Sequence, residues 1–376
     1  MKKVTILGAG MIGSAIAADL TKEYLVTVAD INSVRLNELK EKLSVQTVPA
    51  DLSNTQNIPG LIKDSDLVIG AVPGFMGFKT LEAVIKAGKN VVDISFFDEN
   101  PFKLHKLAKE NNITAVVDCG VAPGLSNIIL GYHNSRMTIS EFECMVGGLP
   151  FKRTWPYQYK APFSPIDVIE EYTRPARIIK DGQEIILPAL SESEFVEIDP
   201  VGTLEAFNTD GLRSLIKTMD IPHMKEKTLR YPGHIEYIRV LIDSGFFSRE
   251  EIEINGIKVK PIDVTAKLLF PKWQLEKDEK EFTVMRIIIR GTEDGKKVEH
   301  IYNLYDQFDE KTQVSSMART TGYTCTAAAR LVLNGDFKRK GICPPEYIGA
   351  EEGCFGKVMK HLSDRNINAS RHLSGD

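Results

Sequence analysis

The chain has 376 residues, 43% hydrophobic and 26% charged, which supplies cores for two or three domains and excludes intrinsic disorder or a disulfide-stapled mini-protein. Its 47 basic and 51 acidic side chains leave a formal charge of −4 without a long block of one sign, which disfavours a nucleic-acid surface.

Val4-Thr5-Ile6-Leu7 reads as a buried strand that runs into Gly8-Ala9-Gly10-Met11-Ile12-Gly13. Ile12, Ile16 and Leu20 then fall on one helical stripe. This first apolar run is too short for a signal-peptide core, so secretion is not expected. Further apolar runs lie at 25–28, 47–48, 67–71, 91–94 and 114–117, mostly separated by polar segments of helical length such as 79–87 and 103–111. Six strands alternating with helices predict a Rossmann-type α/β fold, a doubly wound parallel sheet buried on both faces.

The loop after the first strand carries dinucleotide chemistry. Gly8 permits the tight turn, Gly10 lets backbone approach a pyrophosphate, and Gly13 lets the helix pack close to the sheet. Met11 and Ile12 open the helix, whose N-terminal N–H groups face the phosphates. Asp30 ends the second strand, 20 residues past Gly10, where a carboxylate accepts from the adenosine ribose hydroxyls and repels a 2′-phosphate. NAD is therefore expected over NADP. Arg35 is the competing side chain and reads as a solvated helix residue. Asp51 either faces the adenine edge or caps a helix. Val72 and Pro73 end the fourth strand on the edge where such sheets bind ligands, with Asp93-Ile94-Ser95 and Asp118-Cys119-Gly120 ending strands five and six there too.

Residues 119–135 form the longest stretch without Asp, Glu, Lys or Arg. Its three glycines, proline, two asparagines and histidine argue against a membrane span. Beyond about residue 125 the punctuation changes. Asp181-Gly182, Asn255-Gly256 and Asp294-Gly295 each separate two apolar runs, the pattern of tight hairpins, and predict a second, α+β domain with an antiparallel sheet. Helices are expected at 326–333, stopped by Asn334-Gly335, and at 355–362. The five cysteines, odd in number and without a C-x-x-C pair, point to a reducing, cytoplasmic setting and to no metal site.

Several downstream clusters offer groups for a substrate: Tyr159, Asp210, Arg213, Arg230, His234 and Thr321. Each has a plainer reading, Asp210 as a helix cap, Tyr159 as packing, His234 as a core histidine. Arg213 and Arg230 are preferred for a carboxylate, because a planar guanidinium binds it in bidentate fashion.

Residues 117–127 resemble the D-x-G-x-A-P-G-x-x-N signature of the saccharopine dehydrogenase-like reductases, with Asp118, Gly120, Ala122, Pro123, Gly124 and Asn127 in place. Residues 146–150, 204–207 and 230–234 extend the resemblance. With Glu170-Glu171-Tyr172-Thr173 and Ile254-Asn255-Gly256 the chain looks most like the lysine 6-dehydrogenase branch. The resemblance implies a substrate domain of about 126–316 inserted into a dinucleotide domain of 1–125 plus about 317–376, and a homodimer formed through the antiparallel sheet. It also implies NAD-dependent oxidative deamination of the lysine side chain, with a small amino acid as substrate. Asp118 and His234 are then the candidate bases, with Asp210 behind them. Tyr159 and Thr321 orient the substrate, and Arg213 or Arg230 holds its α-carboxylate. Cys119 reads as a packed thiol. The alternatives are a secondary-amine-forming reductase of saccharopine or carboxynorspermidine type, which needs a more arginine-rich pocket, and a non-catalytic NAD-binding sensor.

Overall fold

The computed structural model describes residues 1–161, 165–276 and 279–375. The chain divides into two compact units, Met1–Thr138 with Ala318–Asn368, and Ile139–Met317 with Ala369–Asp376.

The first unit is built on β1 (Lys3–Leu7), β2 (Leu25–Asp30), β3 (Val45–Pro49), β4 (Leu67–Gly70), β5 (Val91–Asp93) and β6 (Thr114–Val116). All pair in parallel in the order 6-5-4-1-2-3, and Gly341–Cys343 adds a seventh strand beside β6. The winding reverses between β1 and β4, the switch point at which open α/β sheets bind ligands. Strands β4, β5 and β6 are buried along their whole length, as helices on both faces require. The expected helix at 79–87 begins earlier, as Gly74–Lys86 directly after Pro73. The expected helix at 103–111 splits into a 3-10 turn, Pro101–Leu104, and a short α-helix, His105–Glu110.

The C-terminal part of this unit is tied to the first helix, Met11–Leu20, through one buried carboxylate. Asp19 accepts from Arg330 Nη1 at 2.9 Å, Arg365 Nε at 2.8 Å and Thr326 Oγ1 at 2.7 Å. Burial alone raises the Asp19 pKa; the Arg330 and Arg365 charges outweigh it and hold the carboxyl below its usual range. Close helix contact needs small residues here. A Cβ on Gly131 would lie 2.0 Å from the Glu346 carbonyl oxygen, and one on Gly349 1.9 Å from that of Ile128. Helices Leu125–Asn134 and Pro345–Ala350 thus pack backbone to backbone.

The second unit carries a mixed sheet in the order Glu194–Ile198, Gly202–Asn208, His223–Arg230, Thr138–Pro150, Glu281–Glu293, Lys296–Gln307 and Ala369–Gly375. The three expected hairpins form, with positive φ at both turn residues in each. Two features differ from expectation. His223–Arg230 pairs in parallel with Thr138–Pro150, so the sheet is not purely antiparallel. The long crossover between them makes this feasible, and such a crossover has no local sequence mark. Ala369–Gly375 pairs with Lys296–Gln307, placing the last strand in this unit and not with the dinucleotide fold. The Ile252–Ile254 and Ile257–Val259 hairpin stays apart as its own small sheet. No described helix is long and apolar enough to cross a membrane.

Asp19→Asn is expected to lower stability at pH 7 by about 3–5 kcal/mol, since it takes the counterion from Arg365 and leaves Arg330 only Glu23. The ionised carboxylate stabilises the fold above its ordinary pKa, and that contribution is lost as pH falls through the depressed folded value. Urea unfolding followed by circular dichroism should therefore show the gap between wild type and variant closing in acid.

Candidate active site

In the first unit, β1 ends at Leu7 and the chain turns through Gly8 at φ 119°, a backbone region open to glycine. A Cβ on Gly8 would lie 2.3 Å from the Ala71 carbonyl oxygen, and one on Gly13 2.2 Å from that of Gly8. Gly10 is different, because a Cβ there would meet nothing within 4 Å. Its surroundings are open. The helix Met11–Leu20 starts at Gly10 without a side-chain cap, so its first N–H groups are offered to an anion. Asp30 closes the site: Oδ2 accepts the Ala9 N–H at 2.6 Å and Oδ1 the Asn32 N–H at 2.7 Å. Each carboxylate oxygen keeps a lone pair, enough for two vicinal hydroxyls. These residues fit a dinucleotide, with the pyrophosphate at Gly10, Met11 and Ile12 and the ribose at Asp30.

The neighbouring candidates differ in posture. Asp51 is exposed, and its Oδ1 takes both the Oγ–H and the N–H of Ser53, which holds its carboxyl below the usual range. Val72 is buried, and Pro73 is the exposed residue from which Gly74–Lys86 starts. Arg35 is exposed on the helix that Asn32 caps.

The signature loop after β6 is held by its own backbone. The Gly120 N–H donates to the Pro123 carbonyl and the Leu125 N–H to that of Gly120, both at 3.0 Å. Gly124, at φ 139°, has Gly120 so close that a Cβ would lie 1.9 Å from its carbonyl oxygen. Asn127 Oδ1 accepts the Gly124 N–H and the Ser126 hydroxyl, while its Nδ2 donates to buried Glu346 at 3.0 Å. Glycine, proline and asparagine of the signature therefore shape the loop. Asp118, buried at φ 53°, is the signature acid. Thr321 sits beside the loop, its methyl 3.3 Å from where a Gly120 Cβ would be. Burial, then the charges of Asp118 and Asp93, push the Cys119 thiol far up, and it stays a packed group.

In the second unit the structure gathers Tyr159, Arg230 and His234 with two residues the sequence reading gave no role, Glu171 and Tyr172. His234 Nδ1 lies 2.8 Å from the Tyr157 carbonyl oxygen, which only accepts, so Nδ1 carries the proton. Nε2 then accepts from the Tyr172 hydroxyl at 2.8 Å. Burial, then the Arg230 charge, lowers the imidazole pKa to about 3 and keeps it neutral. Both ring nitrogens are engaged. Arg230 Nε donates to Tyr172 at 3.0 Å, Nη2 to Tyr159 at 3.3 Å and to Glu171 at 2.5 Å, and Nη1 to the Leu229 carbonyl at 3.0 Å. That occupies four of the five N–H bonds a guanidinium offers. The expected roles of His234 as base and Arg230 as carboxylate clasp thus meet groups already committed to each other.

Asp210 and Arg213 lie in a second cluster. Arg177 forks Asp210, Nε to Oδ1 at 2.7 Å and Nη2 to Oδ2 at 2.9 Å, which engages both carboxylate oxygens. Arg174 is nearby: burial, then the Arg213 charge, lowers its pKa, with Arg177 and Arg249 adding to the effect. Arg174 and Arg249 both pair with Glu170. Four guanidiniums and the carboxylates of Glu170 and Asp210 therefore share one region. Arg174 and Arg177 were not among the sequence candidates; their R-x-x-R spacing was the available signal.

Tyr172→Phe removes the hydroxyl between Arg230 and His234, and is expected to cost about 1–3 kcal/mol in chemical denaturation. His234 and His361, each near pKa 3 in the fold against an ordinary 6.5, take up protons first in the unfolded chain. Stability should therefore fall as pH drops from 6.5 toward 3, and His234→Gln should flatten that slope in pH-dependent melting.

A family model described as the saccharopine dehydrogenase C-terminal domain matches residues 120–367, and one described as the saccharopine dehydrogenase NADP binding domain matches residues 4–116. The mitochondrial alpha-aminoadipic semialdehyde synthase of Rattus norvegicus is 22% identical over 97% of this chain and 47% of its own length, so the chain spans about half of that relative. The carboxyaminopropylagmatine dehydrogenase of Synechocystis sp. is 24% identical over 91% of this chain and 92% of its own. The apo saccharopine dehydrogenase (L-Glu forming) of Saccharomyces cerevisiae shares the fold, with TM-score 0.80 and 20% identity over 100% of both chains. With one family model spanning well over half its length, the chain belongs to the saccharopine dehydrogenase family.

Proposed function

We propose that this protein is an NAD-dependent dehydrogenase that oxidatively deaminates the side-chain amine of L-lysine to 2-aminoadipate 6-semialdehyde and ammonia. The observation that carries the reading is the pairing of Arg213 with Arg174, whose pKa burial and then the Arg213 charge lower, so that a substrate carboxylate there would relieve like charge; Arg177 and Arg249 already pair with Asp210 and Glu170. Arg213 and Arg174 receive the α-carboxylate.

When bound, NAD supplies the hydride acceptor. The first helical turn from Gly10 holds its pyrophosphate, and Asp30 receives the ribose hydroxyls. The matched model is described as an NADP binding domain, so the preference for NAD rests on the Asp30 carboxylate, which repels a 2′-phosphate. Hydride leaves Cε only once the adjacent nitrogen has a lone pair, so the ammonium first gives up a proton. Asp118 is assigned to activate the water that hydrolyses the resulting imine. The same reading has the enzyme working as a homodimer in a reducing cytoplasm, which suits its five buried free thiols.

A second reading is a reductase that forms a secondary amine. The number of arginines also suits a dicarboxylate product, and the Synechocystis and yeast relatives carry names of that chemistry.

The purified protein should reduce NAD with L-lysine alone and release ammonia in equal amount, with NADP at least tenfold poorer. Turnover that instead requires saccharopine and yields glutamate supports the second reading; neither activity overturns both. Asp30→Asn should weaken NAD binding about tenfold by calorimetry and narrow its margin over NADP, for the loss of one charge-assisted hydrogen bond. Asp118→Asn should lower kcat on the order of 100-fold with NAD affinity unchanged.

A further inference from the structure

Helix Pro165–Thr173 sets Glu171 and Tyr172 side by side against the strand that carries Arg230. Tyr159, Tyr172, Arg230 and His234 each expose 2% or less of their surface. The Glu171 side chain is 24% exposed. Its Oε2 is gripped by Arg230 Nη2 at 2.5 Å, and among the described residues Oε1 has no hydrogen-bond partner. The network thus ends in a carboxylate that is partly exposed at its edge. Tyr172 and His234 have no further polar atom to offer outward, and Arg230 keeps a single N–H, a donor that cannot take up a proton.

We infer that Glu171 receives the side-chain ammonium of the substrate and removes its proton, with Arg230, Tyr172 and His234 as positioning residues. The inference rests on the amine-oxidising reading above. The other candidates in this unit are committed: His234 through both nitrogens, Asp210 through the Arg177 fork, and buried Glu205 through the Gly233 N–H. Burial raises the Glu171 pKa, and the Arg230 charge pulls against that without cancelling it, which brings the carboxyl closer to an amine's proton than an ordinary surface acid. The charged and titratable groups facing it are Arg230 from the strand, Tyr172 from its own helix, and, through Arg230, Tyr159 and His234.

The chemistry balances. The Glu171 carboxylate takes one proton from R–CH2–NH3+, leaving R–CH2–NH2 and a carboxylic acid. The nitrogen lone pair then forms the C=N bond as hydride leaves the same carbon with its electron pair, giving R–CH=NH2+. Water adds to that carbon and ammonia departs. In sum, R–CH2–NH3+, NAD+ and water give R–CHO, NH4+, NADH and one proton.

Glu171→Gln keeps an oxygen for Arg230 and removes the base. With L-lysine and NAD its kcat is expected to fall at least 100-fold, with NAD affinity unchanged and Tm within a few degrees of wild type. The acid limb of kcat/KM in the wild type should lie above the ordinary carboxylate range and be missing from the residual activity of the variant. If Glu171→Gln fails to fold, Glu171→Asp retains the charge but draws it back by one methylene, and should lose kcat at least tenfold at similar KM. A folded variant of either kind that keeps wild-type kcat and the same acid limb overturns the inference alone. A wild-type protein without lysine-dependent reduction of NAD overturns the functional reading and this inference with it.

Discussion

A guanidinium cannot be left bare in an apolar interior, and the second unit is arranged around that constraint at Arg230. Its partners Tyr159 and Tyr172 belong to a core with Trp273, Phe207, Ile235 and Ile238, none of which offers an acceptor oxygen from its side chain. The compensation comes from Tyr159, Tyr172, Glu171 and a strand carbonyl, drawn from separate segments of the chain. Once Tyr172 accepts from Arg230, its proton is free to go to His234, and the histidine is fixed as the neutral Nδ1–H tautomer against Tyr157. One buried charge therefore sets the orientation of two phenols, an imidazole and a carboxylate. Each partner is immobilised by the next, because a buried donor left without an acceptor is expensive.

The first unit solves the same problem with the opposite sign. Asp19 is a buried carboxylate under Arg330, Arg365 and Thr326, and it joins the first helix to segments more than 300 residues later in the chain. By contrast, the far end of that first helix is left uncapped at Gly10. The fold satisfies its polar groups where it needs rigidity and leaves them open where an anion is to be received. Glycine marks both cases for different reasons: Gly8 and Gly13 have no room for a side chain, whereas Gly10 has room that a ligand can use.

The signature loop separates recognition of a family from recognition of its chemistry. Gly124 and Asn127 are bound by backbone geometry and by Glu346, so they report how the loop is folded. Residues that identify the family need not be those that react. Arg213, Arg177 and Arg249, whose charges act on Arg174, lie outside the signature.

The sequence by itself determined the parallel core, because short β-branched runs alternating with helices can be buried in few other ways. It also determined the glycine loop with its acid at Asp30, and the three hairpins whose Asp-Gly and Asn-Gly turns demand positive φ. These are local or periodic signals, carried within a few turns of chain. The seventh strand, Gly341–Cys343, was too short to show, and the parallel pairing of His223–Arg230 with Thr138–Pro150 joins strands far apart in the chain. Only the tertiary structure decided which polar groups are spent on one another. Arg230 and His234 look like reactive side chains in a linear sequence, and apart from the adjacent Leu229 carbonyl the oxygens that occupy them come from residues 58 to 77 positions away. Satisfaction of a buried polar group is a property of its three-dimensional neighbours, and no window of sequence contains them.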